Sequence, residues 1–327
     1  MLEFYQKLAE TLKQTSIVLA TVTNTKGSVP REIGAKMFIY PNSKTFGTIG
    51  GGAGEAKVIN HALQLFQTQK KQLVEIDLSG APQRETQGIC GGTMLVLLEL
   101  WSGDEAVTLV NQILDILTSA QSGTIITPFD AEKKPYLKTS QTSNLPIVEN
   151  NALIEPLISP PTLLIIGAGH IAIPLAQIAK IAGFQIIVQD DRLNFATTER
   201  FPQASLVLPQ PITSIQKILD KTPDLYVALV TRGYMQDLPA LRLLWNRKLP
   251  YIGMVGSKKR VETVYKMLQA EGYSPEFIQQ IHAPIGLDIG ALTPEEIAIS
   301  ICAELIKVRR GGTGNPLSLD NNLTKCN

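Results

Sequence analysis

The groups best suited to chemistry in this chain are backbone amides and a few charged side chains gathered at glycine-rich turns. The run Gly167-Ala168-Gly169-His170-Ile171-Ala172 follows an apolar strand pattern at 163–166 and opens a helical one. There Gly167 permits a tight turn and Gly169 lets backbone approach a pyrophosphate. Ala172 keeps helix and strand close, which completes the dinucleotide-binding pattern. Asp190 and Asp191 end the next strand, where an acid that binds ribose hydroxyls belongs. His170 stands at the helix N-terminus, where anions bind, either as a ligand contact or as a plain solvent-facing residue. A fold of this kind that has lost its nucleotide would carry the same pattern.

Gly50, Gly51 and Gly52 form a second candidate, a run of amides able to cradle an anion ahead of a helix that starts near Glu55. Upstream, Gly27-Ser28-Val29-Pro30-Arg31-Glu32 supplies a rigid turn with an arginine able to grip phosphate. A third candidate is Cys90-Gly91-Gly92, where neighbouring amides would favour the thiolate. Cys90 can be read as a sulfur carrier, a metal ligand or a nucleophile, and equally as a small buried filler. Ser257 lies in the loop 253–260, which is placed to face phosphate, although Lys258, Lys259 and Arg260 also read as a solvated charge run. His61, His170 and His282 are too scattered for a zinc site, and no phosphate-binding loop of the nucleotide-hydrolase type or nucleophile elbow occurs.

The elements that must position these groups follow from periodicity. The first 130 residues mix strands and helices without regular alternation, which predicts an N-terminal α+β domain. Residues 131–160 are polar and hold Pro135, Pro146, Pro156 and Pro160, which reads as a linker. From 161 to 313 short apolar strands alternate with helices, which predicts a Rossmann-like domain with a parallel sheet. Residues 314–327 read as a loose tail. Hydrophobic residues at 44% supply a core and exclude wholesale disorder. Thirty basic residues against 29 acidic ones give a net charge of +1, which argues against a nucleic-acid binder acting by bulk electrostatics. Cysteines at 90, 302 and 326 make no disulfide framework. The N-terminus reads as an amphipathic helix and not a signal peptide, no window suits a membrane span, and a cytoplasmic location is expected.

Taken together, the ordered motifs at 27–32, 47–52, 90–92, 167–170, 190–192, 256–260, 284–290 and 293–298 resemble the XdhC/CoxI family, the xanthine dehydrogenase accessory factors. The resemblance implies a non-catalytic factor that binds molybdenum cofactor (molybdopterin) and guards it during sulfuration. It would then insert the cofactor into an apo molybdenum hydroxylase such as xanthine dehydrogenase. A cysteine desulfurase is a further implied partner, and a homo-oligomer stays open. The cofactor is an anionic pterin with a phosphate and a dithiolene, so Arg31, Gly50, Gly51, Gly52, Cys90, Gly91 and Gly92 would hold it, with Cys90 near the metal. Gly167, Gly169, His170, Asp190, Asp191 and Ser257 would hold NAD(P), another nucleotide or part of the pterin. Many relatives carry histidine at one or both of the positions held here by Arg232 and Tyr234, which puts any acid–base or metal role of that segment in doubt. The alternatives are an NAD(P)-dependent oxidoreductase built on the second domain and a nucleotide-sensing regulator.

Overall fold

Apolar runs in the first half of the chain pair as antiparallel strands, and those in the second half as parallel ones. The computed structural model describes residues 1–78, 91–119, 122–139 and 145–319, and the chain divides into two units, Met1–Ser159 and Pro160–Asn327.

The first unit opens with α1 (Leu2–Leu12), whose apolar stripe buries Tyr5, Leu8 and Leu12. Then come β1 (Ile17–Lys26), β2 (Lys36–Ile39), β3 (Thr45–Gly47), α2 (Gly52–Thr68), β4 (Gln72–Asp77) and β5 (Thr93–Trp101). These strands form an antiparallel sheet in the order β3-β2-β1-β5-β4. Val58, Ala62 and Leu65 of α2 close one face. On the other face α1 packs with α3 (Gly103–Thr118). A bulge between Val22 and Asn24 shifts the β1–β5 register just before the 27–31 turn.

The segment expected as a linker is built into this unit. β6 (Gly123–Pro128), β7 (Tyr136–Lys138), β8 (Ile147–Glu149) and β9 (Ala152–Leu157) make a second antiparallel sheet, ordered β7-β6-β9-β8. Its prolines sit where strands tolerate them. Pro135 and Pro146 precede β7 and β8, and Pro156 lies beyond the last residue that β8 pairs. Glu155, 3% exposed, takes both carboxylate oxygens to Lys36 Nζ at 2.7 and 2.8 Å and so ties β9 to β2.

The second unit holds β10 (Thr162–Ile166), α4 (Ala172–Ile181), β11 (Gln185–Gln189), β12 (Leu206–Leu208), α5 (Gln216–Leu219), β13 (Leu225–Leu229), α6 (Tyr234–Leu244), β14 (Tyr251–Met254), α7 (Lys258–Ala270), α8 (Pro275–Gln279), β15 (Ile281–His282) and α9 (Pro294–Arg310). The six strands are all parallel, in the order β12-β11-β10-β13-β14-β15. This is the Rossmann-like sheet expected from the alternation. Order reverses about β10, so the crevice beyond the carboxyl ends of β10 and β13 is the topological switch point. α4 and α9 cover one face, and α5, α6, α7 and α8 the other. Thr293 and Glu296 form the capping box that starts α9, as the sequence signals. Among the described residues no helix is long and apolar enough to cross a membrane.

Candidate functional site

In the first unit the three glycine motifs meet. β4 and β5 extend toward the motif through bonds from Leu78 N to Gly92 O (2.8 Å) and from Gly91 N to Leu78 O (2.9 Å). A Cβ on Gly92 would run into the carbonyl oxygens of Ser28 and Lys26 and stand 2.8 Å from Val29 Cγ1. Only glycine lets the 26–29 backbone come so close. The ring of Pro30 lies where a Cβ on Gly50 would go. The turn that carries Arg31 is therefore packed between the 90–92 and 47–52 motifs, and Ser28, Arg31, Gly50, Gly51, Gly52 and Gly91 are all exposed. Cys90, expected as the reactive thiol and metal contact, lies outside the described residues, as does Cys326. Cys302 is buried in the core beside α4.

The glycine cradle is not vacant, contrary to the simplest reading of its sequence. Glu55 Oε1 accepts from Thr48 Oγ1 at 2.5 Å and from the amides of Ile49, Gly50 and Gly51 at 2.9, 3.2 and 2.9 Å. Partial burial alone would raise the Glu55 carboxyl, but these donors outweigh it and hold the group below its ordinary value. The chain thus supplies its own anion to Gly50 and Gly51. Of the first-turn residues of α2, whose amides have no intrahelical partner, Gly52 and Ala53 are exposed and Gly54 is buried against Ile76.

In the second unit the turn after β10 has the close approach that its pattern requires. Gly167 has φ +99° and a Cβ there would stand 2.7 Å from Val230 O, whereas a Cβ on Gly169 would meet open space. Ala172 is fully buried at the helix start, and His170 is exposed. The backbone therefore fits a pyrophosphate approaching Gly169. Beside it lies a cavity of about 260 Å³, lined by Gly167, Asp190, Asp191, Arg192, Ile212 and Arg232 among others.

Asp190 has another task than the expected one. Its carboxylate accepts from Ala168 N (2.7 Å), Arg192 N (3.0 Å), Arg192 Nε (2.8 Å) and Arg192 Nη2 (2.7 Å). Burial alone would raise this carboxyl, yet Arg192 and the Ala168 amide hold it far below the usual carboxylate range. Asp191 remains exposed and pairs with Arg232 Nη2 at 3.2 Å. Ser257 caps α7 by accepting from Arg260 N at 3.4 Å.

Two polar clusters escape the sequence reading. Asp237, fully buried on α6, accepts from Thr231 Oγ1 (2.6 Å), Arg260 Nε (2.8 Å) and Arg260 Nη2 (2.8 Å). Arg260 is thus a buttress of the loop after β13 and not part of a solvated charge run. Glu304 on α9 accepts from Tyr251 Oη (2.5 Å) and Gly286 N (2.8 Å) and lies 3.0 Å from His282 Nδ1. Burial raises the Glu304 carboxyl, but His282, Tyr251 and the Gly286 amide bring it below its ordinary value. The bonds fasten the 282–286 loop to α9. Among the described residues no group of three or more His, Cys, Asp or Glu could hold a metal ion.

Residues 163–305 match the XdhC Rossmann domain, and residues 12–77 match the XdhC and CoxI family domain. A Bacillus subtilis protein, named as a probable component of xanthine dehydrogenase, is 29% identical over 320 residues, covering 91% of this chain and 94% of that one. The Escherichia coli molybdenum cofactor insertion chaperone PaoD is 24% identical over 295 residues, covering 89% and 83%. The uncharacterised E. coli protein YqeB is 28% identical over 297 residues, 90% of this chain, which spans only 44% of YqeB. A Bacillus halodurans crystal structure described as a xanthine dehydrogenase superposes with a TM-score of 0.80 at 27% identity, covering 94% of this chain and 96% of that one. With both domains matched in order and the fold shared along nearly the whole length, the chain belongs to the XdhC and CoxI family.

Proposed function

We propose that this protein is a maturation chaperone whose cargo is molybdenum cofactor, held at the exposed glycine junction of the first unit for insertion into an apo molybdenum hydroxylase. The observation that carries the reading is the packing of the Ser28–Arg31 turn between Gly50 and Gly92, which gathers three distant motifs on one surface. An anionic pterin suits what is exposed there. Arg31 can grip its phosphate, and the amides of the exposed Gly52 and Ala53 at the start of α2 would add oriented donors. Gly91, exposed and with open space where a Cβ would stand, allows close approach, whereas Gly92 is buried against the 26–29 turn and acts by packing it. Cys90, the residue before Gly91, would offer a thiolate to the metal or its sulfur. Glu55 sets the shape of the 48–51 turn instead of leaving its amides to the cargo. Similarity to a cofactor insertion chaperone and to a protein named for xanthine dehydrogenase supports the reading.

Installation of the terminal sulfur while the cofactor is bound, with a cysteine desulfurase as donor, belongs to the same proposal. On the second unit the Gly167 cavity would take NAD(P) or another nucleotide, with Gly167 and Gly169 against the pyrophosphate. The oxidoreductase alternative rests on that cavity alone and requires nucleotide-dependent turnover, whereas a chaperone binds its cargo stoichiometrically. The test is anaerobic gel filtration with molybdenum cofactor, followed by metal analysis of the protein peak. One molybdenum per chain, reduced in Arg31→Ala and Cys90→Ala, is expected. A parent protein that elutes without molybdenum would overturn the reading.

A further inference from the structure

The Gly167 cavity presents arginine where the sequence pattern suggests acid. In dinucleotide folds an acid at the end of the second strand binds the free ribose hydroxyls, whereas a nearby arginine accommodates a 2′-phosphate. Asp190 holds the acid position, but it is 5% exposed and its two oxygens already accept four hydrogen bonds, from Ala168 and Arg192. A carboxylate offers about four acceptor sites, so little capacity remains for a ribose hydroxyl.

What this arrangement presents is Arg192. Its guanidinium is held along the Nε–Nη2 edge by Asp190 and lies 3.6 Å from the Phe195 ring centroid. Nη1 has no hydrogen-bond partner among the described residues, and the side chain lines the cavity. A guanidinium fixed in this way loses little freedom when it meets a phosphate. Arg232 lines the same cavity and pairs with Asp191, both side chains being nearly half exposed. A ribose diol would have to compete with Arg232 for Asp191, while a phosphate can replace Asp191 as the partner of Arg232. Ile212, Met235 and Pro239 supply apolar walls for a flat base. The volume, about 260 Å³, suits the base and ribose of one nucleotide, so the pyrophosphate and the remainder of a dinucleotide would lie outside it, past Gly169.

We propose that this cavity selects a nucleotide whose ribose carries a 2′-phosphate, a cofactor of the NADP type, with Arg192 and Arg232 on that phosphate. The inference rests on the reading of the cavity as a nucleotide site and is independent of the molybdenum cofactor. The test is calorimetric titration of the full chain with NADPH and NADH, and with the fragments 2′,5′-ADP and 5′-ADP. NADPH is expected to bind at least tenfold more tightly than NADH, with the same preference between the fragments. Arg232→Ala should weaken NADPH at least fivefold without weakening NADH, because Asp191 is then released to a ribose diol. Arg192→Ala also releases Asp190 from its partner, so Arg192→Lys, which keeps the charge but not the fork, serves as the second variant and should lose part of the preference. NADH binding as tight as NADPH would overturn the 2′-phosphate selection and leave the nucleotide reading standing. Failure of all four probes at millimolar concentration would remove both.

Discussion

Replacement of Asp190 tests whether this acid holds the Gly167 loop or waits for a ligand. In Asp190→Ala the Ala168 amide, on a fully buried residue, loses its acceptor. An unsatisfied buried donor costs about 1–3 kcal/mol. The two side-chain bonds to Arg192 are charge-assisted, but Arg192 is 31% exposed and regains water, so their loss is discounted to about 1 kcal/mol. The sum is about 2–4 kcal/mol of stability in the second unit. Urea unfolding followed by tryptophan fluorescence reads this directly if Trp101 is first changed to Phe, leaving Trp245 of α6's C-terminal end to report on that unit alone. Asp190→Asn keeps an acceptor for Ala168 and should lose about half as much. The pH dependence has a definite sign. The folded carboxyl lies below its unfolded value of about 3.9, so the advantage of the parent over Asp190→Asn is present above that pH and fades as pH falls toward the folded value. If Asp190→Ala unfolds within about 0.5 kcal/mol of the parent, the loop does not depend on this carboxylate and the reasoning fails.

Other outcomes follow from the same geometry. Glu155→Ala leaves Lys36 charged and nearly buried, so the first unit should lose about 3–5 kcal/mol in a thermal or urea melt, and an unchanged melt would free the 136–157 segment from that unit. Arg260→Ala strands the fully buried Asp237 and should cost about 3–5 kcal/mol, with part recovered in the Arg260→Ala/Asp237→Leu double variant; a purely additive double variant would contradict the pairing. Gly92→Val forces the 26–29 turn away from β5 and should cost about 1–3 kcal/mol together with most cofactor binding, measured by melting and metal content on one sample.

Much of the second unit was legible because parallel strands buried on both faces read as short apolar runs. β11, Gln-Ile-Ile-Val-Gln, and β12, Leu-Val-Leu, are runs of this kind. The α9 start was legible down to its cap. The first sheet was also visible, but the second was hidden by its prolines. Asn150 and Asn151, with φ of 51° and 58°, make the two-residue turn that joins β8 to β9, and this Asn-Asn pair was the signal for a hairpin inside the supposed linker. The candidate sites were legible as motifs but not as bonds. A Glu one turn into α2 can reach back over Gly50 and Gly51, yet nothing in composition says that it does. Asp237 and Arg260 are 23 residues apart and meet only because α6 and α7 pack on the same face of the sheet. Likewise Tyr251, His282 and Glu304 converge because β15 pairs beside β14, with Gly253 opposite His282.

A carrier of molybdenum cofactor, as proposed for this protein, passes it to a recipient and does not turn over a substrate. The most direct measurement loads the full chain with cofactor anaerobically, removes unbound cofactor, and titrates the loaded protein into an apo molybdenum hydroxylase while following hydroxylase activity. Direct delivery predicts activity that rises in proportion to loaded chain and stops at one equivalent, with Arg31→Ala and Cys90→Ala delivering less at equal protein. Activity that appears only after the cofactor has been released from the chain, or at the same rate with free cofactor alone, would contradict it.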